Sequence, residues 1–522
     1  MKTSRRLIAT GVPGLDELLH GGVVAGNNIL VEGSPGAGKT TMGLQFLHHG
    51  AAELGEAGVI VAFELDSEKI FRDAEGFDLG LSALVDSGRL HIVHASPAVI
   101  LDDLRSGGGV LEQTIRDMQA RRLMIDGLTP LKLFARTRET SFREDIYLLS
   151  DALARLGVTT FVTAEFADDE RHTLADERFV FDTILRMSRV DRGRSVHRRL
   201  EIVKSRGQDF VSGRHTMRIT PGRGVVVYPR AISQQRVAVG HTTAPPRDDA
   251  PITAGSAAFD ALLGGGLLPG SCTLSTGISG TGKTVAGLQF LMRNAALGRR
   301  GLLVTLDESP EQIVRNARRL GFPIEQSIAS GLVEILYESP LELETDVHFD
   351  HVLRAVDALG ARCVVFDSLA VYQSADPAEI TDFLYALSAS MKARGITSVM
   401  NFESPEMLGL SQISQELKGS HLVDNIVLLS YVEISTRLRR AILVPKVRGC
   451  ANRQETHEFV IGPGGIHILD PHDGSAAGTD SVPQLPFDAY YGLLARSPTR
   501  QAPAIEKAVR QGDELDNGQP GP

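Results

Sequence analysis

The sequence predicts an α/β protein of two tandem domains, each with a mostly parallel sheet flanked by helices. Three observations predict this fold. Two glycine-rich loops of one pattern begin 244 residues apart, at Gly33 and Gly277; strand-like runs alternate with helical stretches; and other landmarks recur at nearly the same offset, such as Asp126 and Asp367, which are 241 residues apart. At 522 residues the chain is long enough for two domains of ordinary size. These offsets indicate that a whole domain was duplicated.

The glycine-rich loops match the phosphate-binding pattern G-x-x-x-x-G-K-[ST]. They run over Gly33–Thr40 and Gly277–Thr284, each between a short apolar run and a helical pattern. The glycines let backbone N–H groups surround phosphate oxygens, the lysine reaches the β- and γ-phosphates, and the threonine hydroxyl ligates Mg²⁺. The residues expected to bind the nucleoside triphosphate here are Gly36, Gly38, Lys39, Thr40, Gly280, Gly282, Lys283 and Thr284. The sequence therefore predicts two nucleotide sites.

Strand-like and helical runs alternate in both halves, as a parallel sheet with flanking helices requires. The predicted strands are Val59–Phe63, Leu90–His94, Leu123–Ile125, Thr159–Thr163, Gly301–Leu306, Leu332–Ile335, Cys363–Phe366 and Thr397–Asn401. The predicted helices are Val110–Arg121, Ile146–Arg155, Glu311–Leu320, His348–Leu359 and Glu379–Ala393. Nearly the same helix follows each loop, Met42–Leu47 in the first half and Ala286–Leu291 in the second.

The chain is predicted to divide into four segments. They are a first domain over 1–229, a linker over 230–251, a second domain over 252–469 and a flexible tail over 470–522. The linker is rich in proline and polar residues. The tail is rich in glycine, proline and aspartate, a composition that cannot form a packed core.

Composition argues against two kinds of partner. The net charge of −10 and pI near 5.9 argue against a nucleic-acid partner, which usually requires a basic surface. No apolar stretch reaches the roughly 18 residues of a membrane span, so no membrane partner is expected. The three cysteines show no metal-ligand spacing and are expected to be reduced core thiols. These features predict a cytoplasmic protein.

Asp126 and Asp367 end apolar strands, where a magnesium-binding carboxylate is expected. A hard divalent ion needs oxygen ligands near the loop threonine, and a carboxylate at the end of a neighbouring strand supplies one, commonly through water. The alternative is an aspartate that caps a turn after a buried strand. Recurrence in both halves favours metal sites formed by Thr40 with Asp126 and by Thr284 with Asp367.

A second acidic site follows an earlier strand in each half. It reads Asp307-Glu308 in the second half, whereas the first half has Glu64 followed by Leu65. A carboxylate beside the γ-phosphate orients or deprotonates the attacking group in phosphoryl transfer. The alternative is a helix N-cap cluster, because acidic groups suit helix N-termini. We predict Glu64, Asp307 and Glu308 as catalytic residues.

Two K-x-R-G sequences lie near the ends of the halves. They contain Lys204 with Arg206 and Lys446 with Arg448. We predict that both members of each pair lie at alternate positions of a strand, so that their side chains project to one face. Two cations on one face suit a γ-phosphate, in the same subunit or across an interface. A solvated strand face is the alternative.

The chain resembles the KaiC family, tandem-domain ATPases and autokinases of the RecA superfamily from the cyanobacterial circadian clock. The motifs that carry the resemblance, in order over about residues 7–469, are Gly11–Leu19, both phosphate-binding loops, the acidic pairs, both K-x-R-G strands and Asp424–Ile434. The resemblance implies two RecA-like P-loop NTPase domains that bind ATP and Mg²⁺. It also implies a homohexameric double ring with ATP at each subunit interface, and regulatory proteins as further partners. The residues that it implies reach the neighbouring subunit's nucleotide are Lys204, Arg206, Lys446 and Arg448.

The chain departs from the family at the phosphorylation positions of the second domain. The family phosphorylates an adjacent serine and threonine there, whereas this chain has Ser420 and His421. Ser420 is therefore the predicted phospho-acceptor, the alternative being a turn serine beside Gly419. The tail after Leu469 does not resemble the family's partner-binding tail, which favours a KaiC homologue outside a full oscillator.

Three functions are compatible with these features. The first is a KaiC-type ATPase with serine autokinase activity in its second domain, acting in signalling or clock-like regulation. The second is a DNA-dependent ATPase of the RecA/RadA type, which the negative charge disfavours. The third is a nucleotide-gated scaffold with little turnover, because Leu65 interrupts the first acidic pair.

Overall fold

The computed structural model describes residues 6–63, 67–137, 141–165, 177–192, 195–233, 250–340, 343–369, 372, 377–403, 423–434, 437–449 and 455–469. The described residues up to 233 belong to one compact unit and those from 250 onward to a second. Each unit is built around a nine-stranded sheet. No helix in the described ranges is long and apolar enough to cross a membrane.

The first unit alternates strands and helices before it ends in four consecutive strands. Its strands are β1 Leu7–Ile8, β2 Val23–Val24, β3 Asn28–Gly33, β4 Gly58–Ala62, β5 Leu90–His94, β6 Arg122–Asp126, β7 Thr159–Glu165, β8 Thr183–Arg192, β9 Ser195–Ser205, β10 Arg214–Thr220 and β11 Gly224–Tyr228. Its helices are α1 Leu15–Leu18, α2 Lys39–His48, α3 Ser67–Glu75, α4 Leu81–Asp86, α5 Pro97–Ser106, α6 Val110–Asp117, α7 Thr129–Thr137 and α8 Phe142–Leu156. The sheet order is β11-β10-β9-β8-β3-β7-β6-β4-β5, parallel from β8 to β5 and antiparallel from β11 to β8.

The central strands of this unit are buried along their whole length because both faces of the sheet are covered. All six residues of β3 and all five of β4 are buried. Alternate residues enter two different cores, with Ile29 and Val31 in one and Leu30 in the other. Strand β3, which carries the first phosphate-binding loop, is therefore held rigidly in the middle of the sheet.

The second unit repeats this plan. Its strands are β12 Cys272–Gly277, β13 Gly301–Thr305, β14 Val333–Tyr337, β15 Cys363–Asp367, β16 Thr397–Glu403, β17 Asn425–Ile434, β18 Arg437–Val447, β19 His457–Gly462 and β20 Gly465–Ile468. Its helices are α9 Ala257–Leu262, α10 Lys283–Ala296, α11 Pro310–Arg319, α12 Ile324–Ala329, α13 Thr345–Leu359 and α14 Pro377–Ala393. The order β14-β13-β15-β16-β12-β17-β18-β19-β20 is that of the first sheet, with the phosphate-loop strand β12 again in the centre.

In each unit, a glutamine at the equivalent position of the phosphate-loop helix forms hydrogen bonds with the final hairpin. Gln45 of α2 accepts a hydrogen bond of 2.8 Å from the Val225 backbone N–H and donates to the Arg223 carbonyl at 3.0 Å. Gln289 of α10 likewise accepts from the Ile466 N–H at 2.7 Å. This contact explains why the G-L-Q-F-L sequence recurs in the two helices.

The predicted fold class is confirmed, and the predicted strands are present with ends shifted by at most two residues. The helix predicted to end at Arg121 is shorter, because α6 stops at Asp117 and Gln119 adopts a left-handed φ of 51° that turns the chain into β6. The prediction that both members of each K-x-R pair lie on a strand was wrong, since Arg206 and Arg448 each follow the last residue of β9 or β18. The boundaries at 229, 251 and 469 stay predictions, and the tail lies outside the described residues.

Candidate active sites

Each phosphate-binding loop joins a central strand to a helix N-terminus. The first loop turns through Gly36 and Gly38, with φ of 71° and 103°, and the second through Gly280 and Gly282, with φ of 78° and 113°. These left-handed angles favour glycine. No side chain caps the start of α2 or α10, so the helix N–H groups at these ends face the loop, where an anion can bind.

Space as well as backbone angle requires glycine at the last loop position. A Cβ on Gly38 would lie 2.9 Å from the Ile219 Cδ1 atom, and a Cβ on Gly282 would lie 2.9 Å from the Ile461 Cδ1 atom. Ile219 belongs to β10 and Ile461 to β19, so the final hairpin of each unit packs directly on its phosphate-binding loop. Ile219 also lines a cleft beside Lys39, Thr40 and Asp126, where its apolar surface can contact a nucleotide. We call this the first cleft.

The loop lysines fold back on their own loops. The Lys39 ammonium donates to the carbonyls of Gly33 at 2.9 Å and Ser34 at 3.0 Å. The Lys283 ammonium bonds the corresponding carbonyls, that of Gly277 being 2.8 Å away. Burial lowers the pKa of both lysines, opposed by nearby carboxylates. Each ammonium is thus placed inside the loop, where phosphate oxygens would be its natural partners.

The loop threonines meet the strand-terminal aspartates. The Thr40 hydroxyl donates to Asp126 at 3.1 Å, and the Thr163 hydroxyl donates to the same carboxylate at 2.8 Å. Burial raises the pKa of Asp126, and the two hydroxyl hydrogen bonds and Lys39 oppose that rise. Asp367 is also buried, which raises its pKa, and the nearby polar side chains of Thr284 and Asn401 oppose the rise.

These oxygen donors fit Mg²⁺. A hydroxyl and a carboxylate in contact beside a phosphate-binding loop are ligand types that this hard cation prefers. Across the part of the chain that the structure describes, no three His, Cys, Asp or Glu side chains gather into a metal cluster. The hydroxyl and carboxylate of each pair would leave the remaining positions around the ion to water and phosphate oxygens. The first cleft, of about 460 Å³ beside Lys39, Thr40 and Asp126, has room for the ion, its waters and the phosphates.

Asp307 and Glu308 lie beside Asp367 in the second site. Burial raises the pKa of both, and the nearby Asp367 carboxylate raises them further. Asp307 accepts a hydrogen bond from Ser368, and Glu308 accepts one of 3.0 Å from the Asn316 amide. Ser309, not either acid, caps helix α11. Both acids are therefore open to a role at the metal or the phosphate.

The K-x-R pairs do not lie at the loop of their own unit. Lys204 pairs in register with Ile184, which pairs with Leu30, three residues before Gly33. Its ammonium donates to the Phe181 carbonyl at 2.6 Å. Three residues of strand place Lys204 about 10 Å from the loop along the strand direction, towards the opposite end of the sheet.

The second K-x-R pair repeats this placement. Lys446 pairs with Ile426, which pairs with Leu274, again three residues before the loop glycine. Its ammonium donates to the Val423 carbonyl at 2.8 Å, and Arg448 donates to Asp424 at 3.0 Å. Neither pair is brought together with the phosphate-binding loop that precedes it in the chain.

Two predicted site residues, Glu64 and Ser420, lie outside the described residues, and their roles stay predictions. Two other acids were missed by sequence reasoning. Glu165 and Glu403 end β7 and β16, beside the loop strands, and both attract the loop lysine. The signal that could have found them recurs in both halves: a polar residue ends the predicted strand, and a glutamate follows two positions later.

A family model for "ATPase: KaiC" matches the chain twice, over residues 8–232 and 252–473. The chain belongs to the KaiC family of ATPases. A "Circadian clock oscillator protein KaiC" from Picosynechococcus sp. is 30% identical over 504 residues, which cover 95% of this chain and 93% of that protein. The same-named protein of Synechococcus elongatus is 30% identical over 473 residues, 88% of each chain. "Circadian clock protein KaiC3" of Synechocystis sp. is 29% identical over 487 residues, 90% of this chain and 94% of its own length.

Membership of the KaiC family agrees with the duplicated sites. The two matches of the family model fall on the two units, and each unit contains one phosphate-binding loop with its strand-terminal aspartate. The tandem RecA-like architecture predicted from the resemblance is therefore confirmed, and the chain is an ATPase of the KaiC type.

Proposed function

We propose that both sites hydrolyse ATP with Mg²⁺. The observation that carries this proposal is the twofold construction of one site, in which a loop lysine, a loop threonine and a strand-terminal aspartate converge in each unit. The contacts of Lys39 and Lys283 with their loop carbonyls support it, because these ammonium groups need only exchange carbonyl oxygens for phosphate oxygens.

The residues of each site have separate tasks in this reaction. The loop N–H groups and the lysine bind the phosphates, and Thr40 with Asp126, or Thr284 with Asp367, would hold the metal. When bound, Mg²⁺ supplies charge that neutralises the β- and γ-phosphate oxygens. Asp307 and Glu308 orient or deprotonate the attacking group at the second site, and Glu64 is proposed for that task at the first.

We also propose that the K-x-R pairs complete the site of a neighbouring subunit. Lys204 and Lys446 lie too far along their strands to serve their own loops. Burial lowers the pKa of each lysine, and the nearby arginine of the same pair lowers it further. Two adjacent cations are favourable where an anion approaches them. A phosphate from the next chain in a ring meets that condition, and the ring proposed from the family resemblance is a homohexamer.

The chain is expected to form hexamers when ATP and Mg²⁺ are present, because a nucleotide at the interface bridges two chains. Light scattering on the 56.2 kDa chain measures this directly. The same measurement without nucleotide is the control, and it should give smaller species. A single chain at saturating ATP would rule out sites completed by neighbours.

We further propose that the second domain phosphorylates Ser420. The residue stands four positions before Asp424, at the acceptor position of the KaiC motif, and Asp307 and Glu308 supply acids for proton transfer. Asp307 is one methylene shorter than glutamate, so slow transfer is expected. Where geometry is tight, a misplacement of about 1 Å costs on the order of 10²-fold in rate.

One incubation with γ-labelled ATP tests hydrolysis and self-phosphorylation together. Phosphate release and slow labelling of the protein are expected, and the labelling should disappear in Ser420→Ala and in Glu308→Gln. Ser414→Ala, six residues earlier, is the matched control and should keep the label. Labelling that persists in Ser420→Ala would contradict the acceptor assignment, and phosphate release without labelling would leave an ATPase without kinase activity.

The names of the curated relatives support a role in clock-like or other signalling. Regulatory proteins are proposed as partners from the family resemblance alone. A DNA-dependent motor is the competing function, and the net charge of −10 disfavours it. Filter binding of single-stranded DNA at low salt with ATP separates the two, since a signalling ATPase should retain no DNA. A scaffold with little turnover would instead bind ATP in both domains and release no phosphate.

A further inference from the structure

Glu165 stands next to the first phosphate-binding loop although it lies far from it in sequence. It is the last residue of β7 and pairs in register with Gly33, whose carbonyl accepts a hydrogen bond from the Lys39 ammonium. Neighbouring strands lie about 4.8 Å apart, so the backbone of Glu165 is immediately beside the lysine's binding position. The residue is exposed, lines the cleft and has no assigned role in the chemistry proposed above.

The side chain of Glu165 lies on the same side of the sheet as the metal-site aspartate. Residues two apart on a strand project to one face, and Thr163, two positions earlier, donates its hydroxyl to Asp126. The second unit repeats the spacing, because Asn401 lies close to Asp367 and Glu403 follows two positions later, in register with Gly277. The strand beside each loop therefore offers one polar group to the aspartate and one carboxylate to the site.

The attraction between the Glu165 carboxylate and the Lys39 ammonium indicates that Glu165 lies near the γ-phosphate end of a bound nucleotide. The Glu165 carboxylate lines the same cleft as Lys39 and attracts its ammonium, as Glu403 attracts the Lys283 ammonium. The loop lysine contacts the β- and γ-phosphates in this class of site. A carboxylate that attracts the lysine is therefore close to the position of the γ-phosphate, and it loses that attraction when the lysine turns to the phosphate.

The two sites differ in their other acids. The second has Asp307 and Glu308, whereas the first has Leu65 in place of the second acid. Within the described ranges, Asp126 and Glu165 are the carboxylates that line the first cleft. Asp126 already accepts hydrogen bonds from Thr40 and Thr163 and is the proposed metal group. Among the described carboxylates that line this cleft, Glu165 is the one that the metal site does not use.

We propose that Glu165 acts together with Glu64 at the first site: Glu64 orients the attacking water, and Glu165 holds that water and accepts its proton, an inference that rests on the proposed hydrolysis of ATP there. The water oxygen forms a bond to the γ-phosphorus as the bond from that phosphorus to the β,γ-bridging oxygen breaks. ADP leaves with the bonding electron pair, and one water proton passes to the Glu165 carboxylate and from there to solvent. Glu165 thus supplies the second acid that the Leu65 position lacks.

The test isolates the first site in the full chain with Lys283→Ala, so that only the first loop binds nucleotide. In this background Glu165→Gln should lower kcat about 10²-fold, the lower end of the range for general base catalysis. KM and nucleotide Kd should not rise and Tm should not fall, because glutamine keeps the shape and the hydrogen-bonding reach of the side chain and removes a negative charge beside the phosphates. The kcat of Glu165→Asp should lie between that of the Lys283→Ala chain and that of Glu165→Gln, since aspartate keeps the charge and shortens the side chain. Glu53→Gln, a change to an exposed glutamate paired with His49, is the matched control and should leave kcat as it was.

Other outcomes would overturn the proposal. An unchanged kcat in Glu165→Gln excludes a role for the carboxylate. A loss of nucleotide affinity or of Tm that accounts for the lost rate, in both Glu165 variants, indicates a structural role instead. If the Lys283→Ala chain binds one nucleotide yet releases no phosphate before Glu165 is changed, hydrolysis at the first site is itself wrong, and the proposal for Glu165 is overturned with it.

Discussion

Lys39→Ala is expected to leave the chain with one bound nucleotide, at the second site, and Lys283→Ala to leave one at the first. Each change removes a charge-assisted contact to phosphate, a loss of roughly 1.5–3 kcal/mol, or about tenfold to over a hundredfold in affinity. It also leaves Asp126 and Glu165, or Asp367 and Glu403, without the cation that attracts them, which further opposes the approach of an anion.

Equilibrium dialysis with a non-hydrolysable ATP analogue and Mg²⁺ counts these sites. Two nucleotides per chain are expected for the unaltered protein and one for each variant. Lys69→Ala changes an exposed lysine of α3 and is the control that should keep both nucleotides. Two nucleotides in either loop variant, at concentrations that just saturate the unaltered protein, would show that the lysines do not define the sites.

Arg448→Ala is expected to stop hydrolysis at the second site while nucleotide binding persists. A cation supplied by a neighbouring chain to the transferring phosphoryl group contributes on the order of 10³-fold or more in kcat. With Lys39→Ala present throughout, phosphate release reports the second site alone. Arg437→Ala removes an exposed arginine at the start of β18, the strand that Arg448 directly follows, and should leave the rate unchanged.

Mixing two inactive chains distinguishes a neighbour's arginine from one that serves its own loop. Rings that contain both Lys283→Ala and Arg448→Ala chains have interfaces in which an intact Lys283 meets an intact Arg448. Phosphate release by the mixture should therefore exceed that of either chain alone. If the arginine served its own loop, mixing would give no gain, because each chain carries one defect. Arg206 is expected to act in the same way at the first site.

The elements around the loops could be predicted because their signals are local. A run such as Val59–Ala62 is apolar at every position since both sheet faces are covered, and the loop glycines are fixed by backbone angles within a few residues. The strand-terminal aspartates were recognisable for the same reason, as each directly follows its buried strand. The sequence also indicated that this arrangement occurs twice.

The missed features depend on which strands become neighbours. Glu165 is 132 residues from Gly33 in sequence and reaches the loop only because β7 pairs with β3. The register that separates Lys204 from its own loop likewise requires the antiparallel pairing of β8 with β9, including the irregularity between Ile184 and Leu185. Short-range patterns contain neither the strand order nor this register, so the sequence left open whether the cations act within a subunit or across an interface.

The most direct test of hydrolysis at two independent P-loop sites is steady-state phosphate release from four chains at saturating ATP and Mg²⁺. They are the unaltered protein, Lys39→Ala, Lys283→Ala and the variant with both changes. Each single variant should retain part of the rate, and the double variant should release no phosphate above the background without protein. Phosphate release by the double variant at the rate of the unaltered protein would contradict hydrolysis at these two sites.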